Sequence, residues 1–213
     1  MNSSEIQLSS SEREAAQAVF GERIELAERY VEHLGTSGIE RGLIGPREIP
    51  RLWSRHVLNC AVVEALIERN SRVADVGSGA GLPGLCLAIA RPDLEVVLIE
   101  PLERRVIWLD EVIEDLGLEN VDLRRGRAEQ FVGEIDVDVV TARAVSALVG
   151  LLDMTVPLLR GTGQLLALKG KSAEEEIQKA QKKLNKYGAR STEIVTVGES
   201  LLEQPTTVVQ VEL

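Results

Sequence analysis

From residue 72 onward the apolar positions fall into a regular alternation. Runs rich in Val, Ile and Leu predict strands over residues 72–76, 94–100, 120–124, 136–141, 163–169, 191–197 and 206–212. The stretches between them carry apolar residues at helical spacing. They predict helices over 83–91, 103–117, 127–132, 147–159 and 173–187. Strands alternating with helices join by right-handed crossovers into a mainly parallel sheet covered on both faces. The last two runs, Thr192-Glu-Ile-Val-Thr-Val and Thr206-Thr-Val-Val-Gln-Val, leave no room for a helix between them. They predict an antiparallel hairpin, giving an α/β fold of seven strands.

Before residue 72 the pattern is helical throughout. Ser11-Glu-Arg-Glu14 has the form of a capping box. Phe20, Ile24, Ala27, Val31 and Leu34 then recur at helical spacing, and Gly35 closes the pattern. A loop over 35–46 ends at Pro46. A second helical region, from Pro50 to Glu68, has Leu52, Trp53, Val57, Ala61 and Leu66 as its apolar members. Residues 1–70 are thus expected to form a helical extension packed on the core. Residues 71–213 are expected to form one compact Rossmann-like unit.

Composition fits this division. A chain of 213 residues, 44% of them apolar, is the size of one ordinary domain with an extension. No apolar run approaches the roughly 20 residues of a membrane span. The polar start, Met-Asn-Ser-Ser-Glu-Ile-Gln, lacks the blocks of a signal peptide, so a cytoplasmic protein is expected. Cys60 and Cys86 have neither a disulfide framework nor zinc-like spacing and read as packing residues, with no metal expected. The formal net charge of −10 argues against broad phosphate binding. The charge is unevenly spread, however. Arg47, Arg51 and Arg55 with His56, Arg104-Arg105, Arg124-Arg125 with Arg127, and Lys169 with Lys171 form local basic clusters. A local basic face is enough for RNA.

The chemistry concentrates in residues 72–84, Arg-Val-Ala-Asp-Val-Gly-Ser-Gly-Ala-Gly-Leu-Pro-Gly, where a strand enters a turn rich in glycine. Asp75 lies at the end of that strand and Glu100 at the end of the next. Two strands ending in carboxylates around a glycine loop suit a nucleoside, with Glu100 placed for ribose hydroxyls. Three readings compete. A triphosphate loop has its spacing in Gly79 and Gly84, but Leu85 stands where lysine is required. A nicotinamide or flavin site matches Gly79-x-Gly81-x-x-Gly84, although Pro83 removes one N–H from the pyrophosphate end of the helix. The third reading is S-adenosylmethionine. Asp75-x-Gly77-x-Gly79-x-Gly81 resembles the first motif of class I S-adenosylmethionine-dependent methyltransferases. Glu100 occupies the place of the second motif, Gly126-Arg-Ala128-Glu129 that of the third, and the closing hairpin is a hallmark of the class. Four agreements in order favour this reading. A nicotinamide-dependent oxidoreductase, or a nucleotide-binding module without chemistry, is the alternative.

A narrower resemblance covers residues from about 50 to the end. Arg55-His-Val-Leu-Asn-Cys-Ala61, Val76-Gly-Ser-Gly-Ala-Gly-Leu-Pro-Gly84, Arg125-Gly-Arg-Ala-Glu129, Ala142-Arg-Ala144 and Ala167-Leu-Lys-Gly170 resemble, in order, blocks of the bacterial ribosomal RNA small-subunit methyltransferase G family (RsmG, also called GidB). The Leu58-Asn59-Cys60 variant is similar to that of actinobacterial members. Ala142 replaces the family's usual Ser, and Gly35-Thr-Ser-Gly-Ile-Glu-Arg-Gly stands where a Trp-Asn-x-x-Asn-Leu-Thr run is common. The resemblance implies methyl transfer from S-adenosylmethionine to N7 of a guanine in 16S rRNA, free or in a small-subunit precursor, by a monomer.

The roles implied are as follows. Gly77, Gly79 and Gly81 let the loop approach the cofactor, and Leu82 lines the pocket. Asp75 lies near the methionine amine, directly or through the loop. Glu100 takes the ribose hydroxyls, and Ala128 with Glu129 borders the adenine. Arg143, after the fourth strand, is the candidate for positioning, by contact with the cofactor carboxylate or an RNA phosphate. Arg51, Arg55, His56 and Lys169 are candidates for the RNA backbone. No general base is expected, because guanine N7 carries no proton. His33 reads as solvated, and His56 as a binding or packing residue.

Overall fold

The structure, a computed structural model, describes residues 8–213; the polar stretch over 1–7 lies outside the described residues. Seven strands form one sheet: β1 Arg72–Val76, β2 Glu95–Glu100, β3 Val121–Arg125, β4 Val137–Arg143, β5 Leu159–Lys169, β6 Ser191–Val197 and β7 Thr206–Glu212. Their order is β3-β2-β1-β4-β5-β7-β6. The pairings β3–β2, β2–β1, β1–β4 and β4–β5 are parallel. β7 runs antiparallel to β5 and to β6, so the predicted closing hairpin is present. From β1 successive strands are added outward on one side as β2 and β3, and then on the other side from β4 onward, so the strand order reverses between β1 and β4. At such a switch point the carboxyl ends of the strands frame a crevice.

Side chains along each strand alternate between two cores, as the pleat demands. Val73, Val96, Leu98, Val139 and Leu166 pack on one face, under α1 Ser10–Phe20, α2 Ile24–Gly35, α5 Gly84–Ala90 and α6 Glu103–Leu116. Ala74, Val97, Ile99, Val140 and Leu165 pack on the other, under α7 Leu148–Thr155 and α8 Ala173–Tyr187. The two helices of the extension therefore share one continuous core with α5 and α6. Tyr30, fully buried on α2, donates its hydroxyl to the Ala80 carbonyl at 2.6 Å and braces the glycine loop from behind.

The extension is less regular than its apolar pattern predicts. The capping box is Ser9 with Glu12, two residues before Ser11 with Glu14. The expected single helix is broken by a tight turn over Gly21–Arg23, with Gly21 at φ 53°. The expected loop carries a short α3, Ser37–Glu40. The second helical region is a relay of unlike turns. A 3-10 stretch Pro46–Arg51 leads into a π-helical stretch Leu52–Leu58, then α4 Asn59–Ala61 and a 3-10 turn Val62–Leu66. Pi-helical turns interrupt regular helices where function demands unusual side-chain placement. Among the described residues no helix is long and apolar enough to cross a membrane.

Candidate active site at the carboxyl edge

The glycine loop is fastened to β2 by its backbone. Gly77 N–H donates to the Ile99 carbonyl at 2.8 Å, and Gly79 N–H to Glu100 Oε2 at 2.9 Å. Glu100 Oε1 accepts the Leu102 N–H at 2.9 Å. This acid is 1% exposed, and Arg105 Nη1 stands 3.5 Å from Oε2. Arg105, one half of the Arg104-Arg105 basic pair, thus lies beside the acid, with its Nε buried and unpartnered. Gly77 sits at φ 71°, and a Cβ there would come within 2.8 Å of Val145 Cγ2. Only glycine combines that backbone angle with that approach. At Gly79, φ 61°, a Cβ would stand in ordinary contact with the Gly77 carbonyl oxygen at 3.8 Å and Arg105 Nη1 at 3.9 Å. Gly81 also has positive φ, and Leu82 is half-buried against the core.

Asp75 faces inward. Its Oδ2 accepts the Gly84 N–H at 3.0 Å, and its Oδ1 the Thr141 hydroxyl at 3.4 Å. It is fully buried, and burial pushes its carboxyl up to about 7 against the pull of those hydrogen bonds. Of the two expected routes to a ligand, direct or through the loop, only the second suits this placement. Asp75 caps the start of α5 and sets the loop's exit. A Cβ on Gly84 would meet Leu98 Cδ2 at 2.3 Å and Asp75 Oδ2 at 2.7 Å, so glycine is required there too.

Ala128, 3% exposed, begins a single 3-10 turn Ala128–Phe131 beyond β3, with Glu129 exposed beside it. The turn lies past Arg125, which is in register with Glu100. The structure thus brings the loop, Glu100 and Ala128 to one edge of the sheet.

Arg143 ends β4 on the other side of the switch point. Its Nη1 donates to Cys60 Sγ at 3.1 Å, and its Nη2 to the Arg55 carbonyl at 3.3 Å and His56 Nδ1 at 2.9 Å. His56 Nε2 meets Glu48 Oε2 at 2.8 Å, and Glu48 Oε1 accepts from Arg51 at 2.7 Å. Burial lowers the His56 pKa despite the opposing hydrogen bond to Glu48, so the ring is neutral. Both of its nitrogens are engaged. Cys60 is more than packing, because its sulfur accepts from Arg143. The following residue, Ala144, has φ 56°, in the left-handed region, and turns Val145 onto the glycine loop.

Two basic side chains have partners that the sequence does not display. Lys169 is held in an ion pair. Its Nζ donates to the Ser146 carbonyl at 2.7 Å and pairs with Glu176 at 2.8 Å, and the side chain is 10% exposed. His33 is not merely solvated but pairs with Asp115 at 2.9 Å. Arg55 keeps an exposed side chain, with no carboxylate partner among the described residues. Together with Arg51, Ser54, Asn59 and Gln204 it lines a groove of about 510 Å³. The turn bearing Gln204 leads into β7, whose Thr207 is in register with Lys169, the last residue of β5. The groove therefore opens on the same carboxyl edge.

Comparison with known proteins decides the family. The profile described as rRNA small subunit methyltransferase G matches residues 23–205. The chain belongs to the rRNA small subunit methyltransferase G family. It is a methyltransferase, and similar proteins named ribosomal RNA small subunit methyltransferase G extend over nearly its whole length. That of Pseudarthrobacter chlorophenolicus is 66% identical over 206 residues, 97% of this chain and 95% of the relative. That of Streptomyces coelicolor is 53% identical over 201 residues, 94% and 84% of the two chains. Solved structures share the fold at low identity. TYW2 of M. jannaschii, in complex with AdoMet, is similar with TM-score 0.59 and 19% identity, covering 76% of this chain and 77% of that one. The precorrin-6y C5,15-methyltransferase of Geobacter metallireducens has TM-score 0.56 and 14% identity, covering 81% and 91%. The fold is that of S-adenosylmethionine-dependent methyltransferases, as its motifs predict.

Proposed function

We propose that this protein transfers the methyl group of S-adenosylmethionine to N7 of a guanine in 16S rRNA. One observation carries the reading. The carboxyl edge sets the Gly79–Glu100 unit on one side of the β1/β4 switch point and Arg143, tied to a basic helical segment, on the other. Membership of the family supplies the substrate class.

The residues present fit the cofactor. A carboxylate has about four acceptor positions; on Glu100 two main-chain N–H groups take two and Arg105 Nη1, at 3.5 Å, a third, which leaves room for a ribose hydroxyl. Glu100 holds the ribose hydroxyls, Gly77, Gly79, Gly81 and Leu82 flank the ribose and methionine portions, and Ala128 with Glu129 borders the adenine. Asp75 serves by fixing the loop. Bound S-adenosylmethionine supplies an electrophilic methyl group. The chain's share is positioning for in-line displacement. Guanine N7 has an in-plane lone pair and no proton, so no side chain need take one. That accords with an edge where the His56 nitrogens are both engaged and Asp75 is buried. Arg143 presents its remaining N–H groups to the cofactor carboxylate or an RNA phosphate. Arg51 and Arg55 receive the RNA backbone, with His56 behind them. Among the described residues no contact favours the dinucleotide alternative.

The test is transfer from methyl-labelled S-adenosylmethionine to 16S rRNA, offered deproteinised and in small subunits. After digestion to nucleosides the label should elute with 7-methylguanosine. Label on any other nucleoside, or none on 16S rRNA, refutes the reading.

A further inference from the structure

The π-helical stretch Leu52–Leu58 and the 3-10 stretch before it do one thing that a straight helix would not. With the α4 turn that follows, they gather three acceptors around one guanidinium. The Arg55 carbonyl, the His56 ring and the Cys60 sulfur all accept from Arg143, and Glu48 stands behind His56. The chain of contacts runs from exposed Arg51 through Glu48 and His56 to the end of β4, with each link between 2.7 and 2.9 Å.

We propose that His56 and Glu48 are positioning residues for Arg143, a role that rests on the reading of Arg143 given above. The polarity of the chain follows from what each group can do. A guanidinium only donates, so His56 Nδ1 must be bare. Its proton then sits on Nε2 and is given to the Glu48 carboxylate. That carboxylate is itself fixed, with one oxygen on His56 and the other on Arg51. A carboxylate behind a histidine selects its tautomer and orientation. Here the tautomer selected is the one that can receive Arg143. With the other tautomer, or a protonated ring, an N–H would face the guanidinium and push it out of place. The His56 side chain is 13% exposed and the Glu48 side chain 27%, so water competes little for the inner link.

The two ring nitrogens are separable by substitution. The carboxamide of Asn places an oxygen near Nδ1, whereas that of Gln reaches Nε2. His56→Asn keeps an acceptor for Arg143, and His56→Gln keeps a partner for Glu48 only. Methyl transfer to small subunits and to free 16S rRNA should fall about tenfold to a hundredfold in His56→Gln. Most of that loss should be recovered in His56→Asn, with melting temperatures alike. In the cofactor-free protein, 15N-edited NMR should show the Arg143 Nη–H groups resolved by hindered rotation in wild type and His56→Asn, and averaged in His56→Gln. Equal activity in the two variants, or resolved Arg143 signals in His56→Gln, overturns the proposal. Should either histidine variant fail to fold, Glu48→Ala at the rim decides. A loss of about tenfold with unchanged melting supports the relay, and wild-type activity overturns it. Arg143→Ala is run alongside. If it is fully active, the reading of Arg143 falls and this one with it. If it is inactive while Glu48→Ala and His56→Gln are active, only the relay falls.

Discussion

Glu100, the last residue of β2, accepts the main-chain N–H of Gly79, in the loop after β1, at 2.9 Å. The acid and the loop are therefore one unit. The carboxylate proposed for the ribose also sets the height of the turn beneath it. Glu100→Ala should weaken S-adenosylhomocysteine binding by about 1.5–3 kcal/mol, the worth of hydrogen bonds to a charged group. That is tenfold to about a hundredfold in Kd by titration calorimetry. The fold should survive with a lower melting temperature, because the Gly79 and Leu102 amides lose their acceptor. An unchanged Kd removes Glu100 from the site.

Asp75 makes a prediction about pH. Its carboxyl is raised from an ordinary 3.8 to about 7 by burial. The folded protein thus holds a proton there that the unfolded chain has released, and stability conferred by this group is full below about pH 4 and lost as pH rises through 7. Asp75→Asn removes the dependence. Its stability relative to wild type in urea melts should climb between pH 4 and pH 7 and level off above. A flat difference across that window contradicts the placement of Asp75.

Ala144 holds a left-handed backbone angle between Arg143 and Val145. Such an angle costs a residue with a Cβ about 1–2 kcal/mol. Strain of this kind collects where geometry serves function. Ala144→Gly should melt no lower than wild type yet transfer methyl groups more slowly, because Arg143 and Val145 lose a rigid hinge. A variant that is both less stable and fully active would argue against this.

Arg55 and Lys169 should part company. Arg55→Ala should leave melting unchanged, weaken RNA binding and reduce the salt slope of affinity by about one. Lys169→Ala takes one partner from the partly buried Glu176, which keeps the Leu148 N–H and the Ser172 hydroxyl, and should cost about 1.5–3 kcal/mol of stability. If Lys169→Ala instead melts normally and binds RNA poorly, Lys169 is a phosphate contact after all.

The central strands were legible because they are buried. Residues 96–99 read as an uninterrupted apolar run, and β2 and β7 fall within a residue of their predicted bounds, as does the more exposed, β-branched β6. The lack of a helix between β6 and β7 was equally plain. The extension was harder for a physical reason. Ser9 and Ser11 each have glutamate three residues on, so two overlapping capping boxes compete and only tertiary packing chooses between them. The shift from 3-10 to π turns over 46–58 is hidden in a pattern that reads as one loop followed by one ordinary helix. That shift is what brings Glu48 to His56, eight residues away, and it explains why Glu48 was missed. The pairing of Lys169 was not legible because its partner Glu176 sits on the first turn of α8, whose docking the sequence does not display. Arg105 was visible only as half of an Arg-Arg pair, and its place beside Glu100 is set by the start of α6.

The central claim is that the Gly79–Glu100 edge holds an adenosyl sulfonium cofactor. A crystal structure of the protein grown with S-adenosylhomocysteine tests it most directly. The ribose hydroxyls should lie on Glu100, the adenine against Ala128, and the sulfur should point toward the end of β4 at Arg143. The ligand bound elsewhere, or a dinucleotide pyrophosphate bound in its place over Gly79, would contradict it.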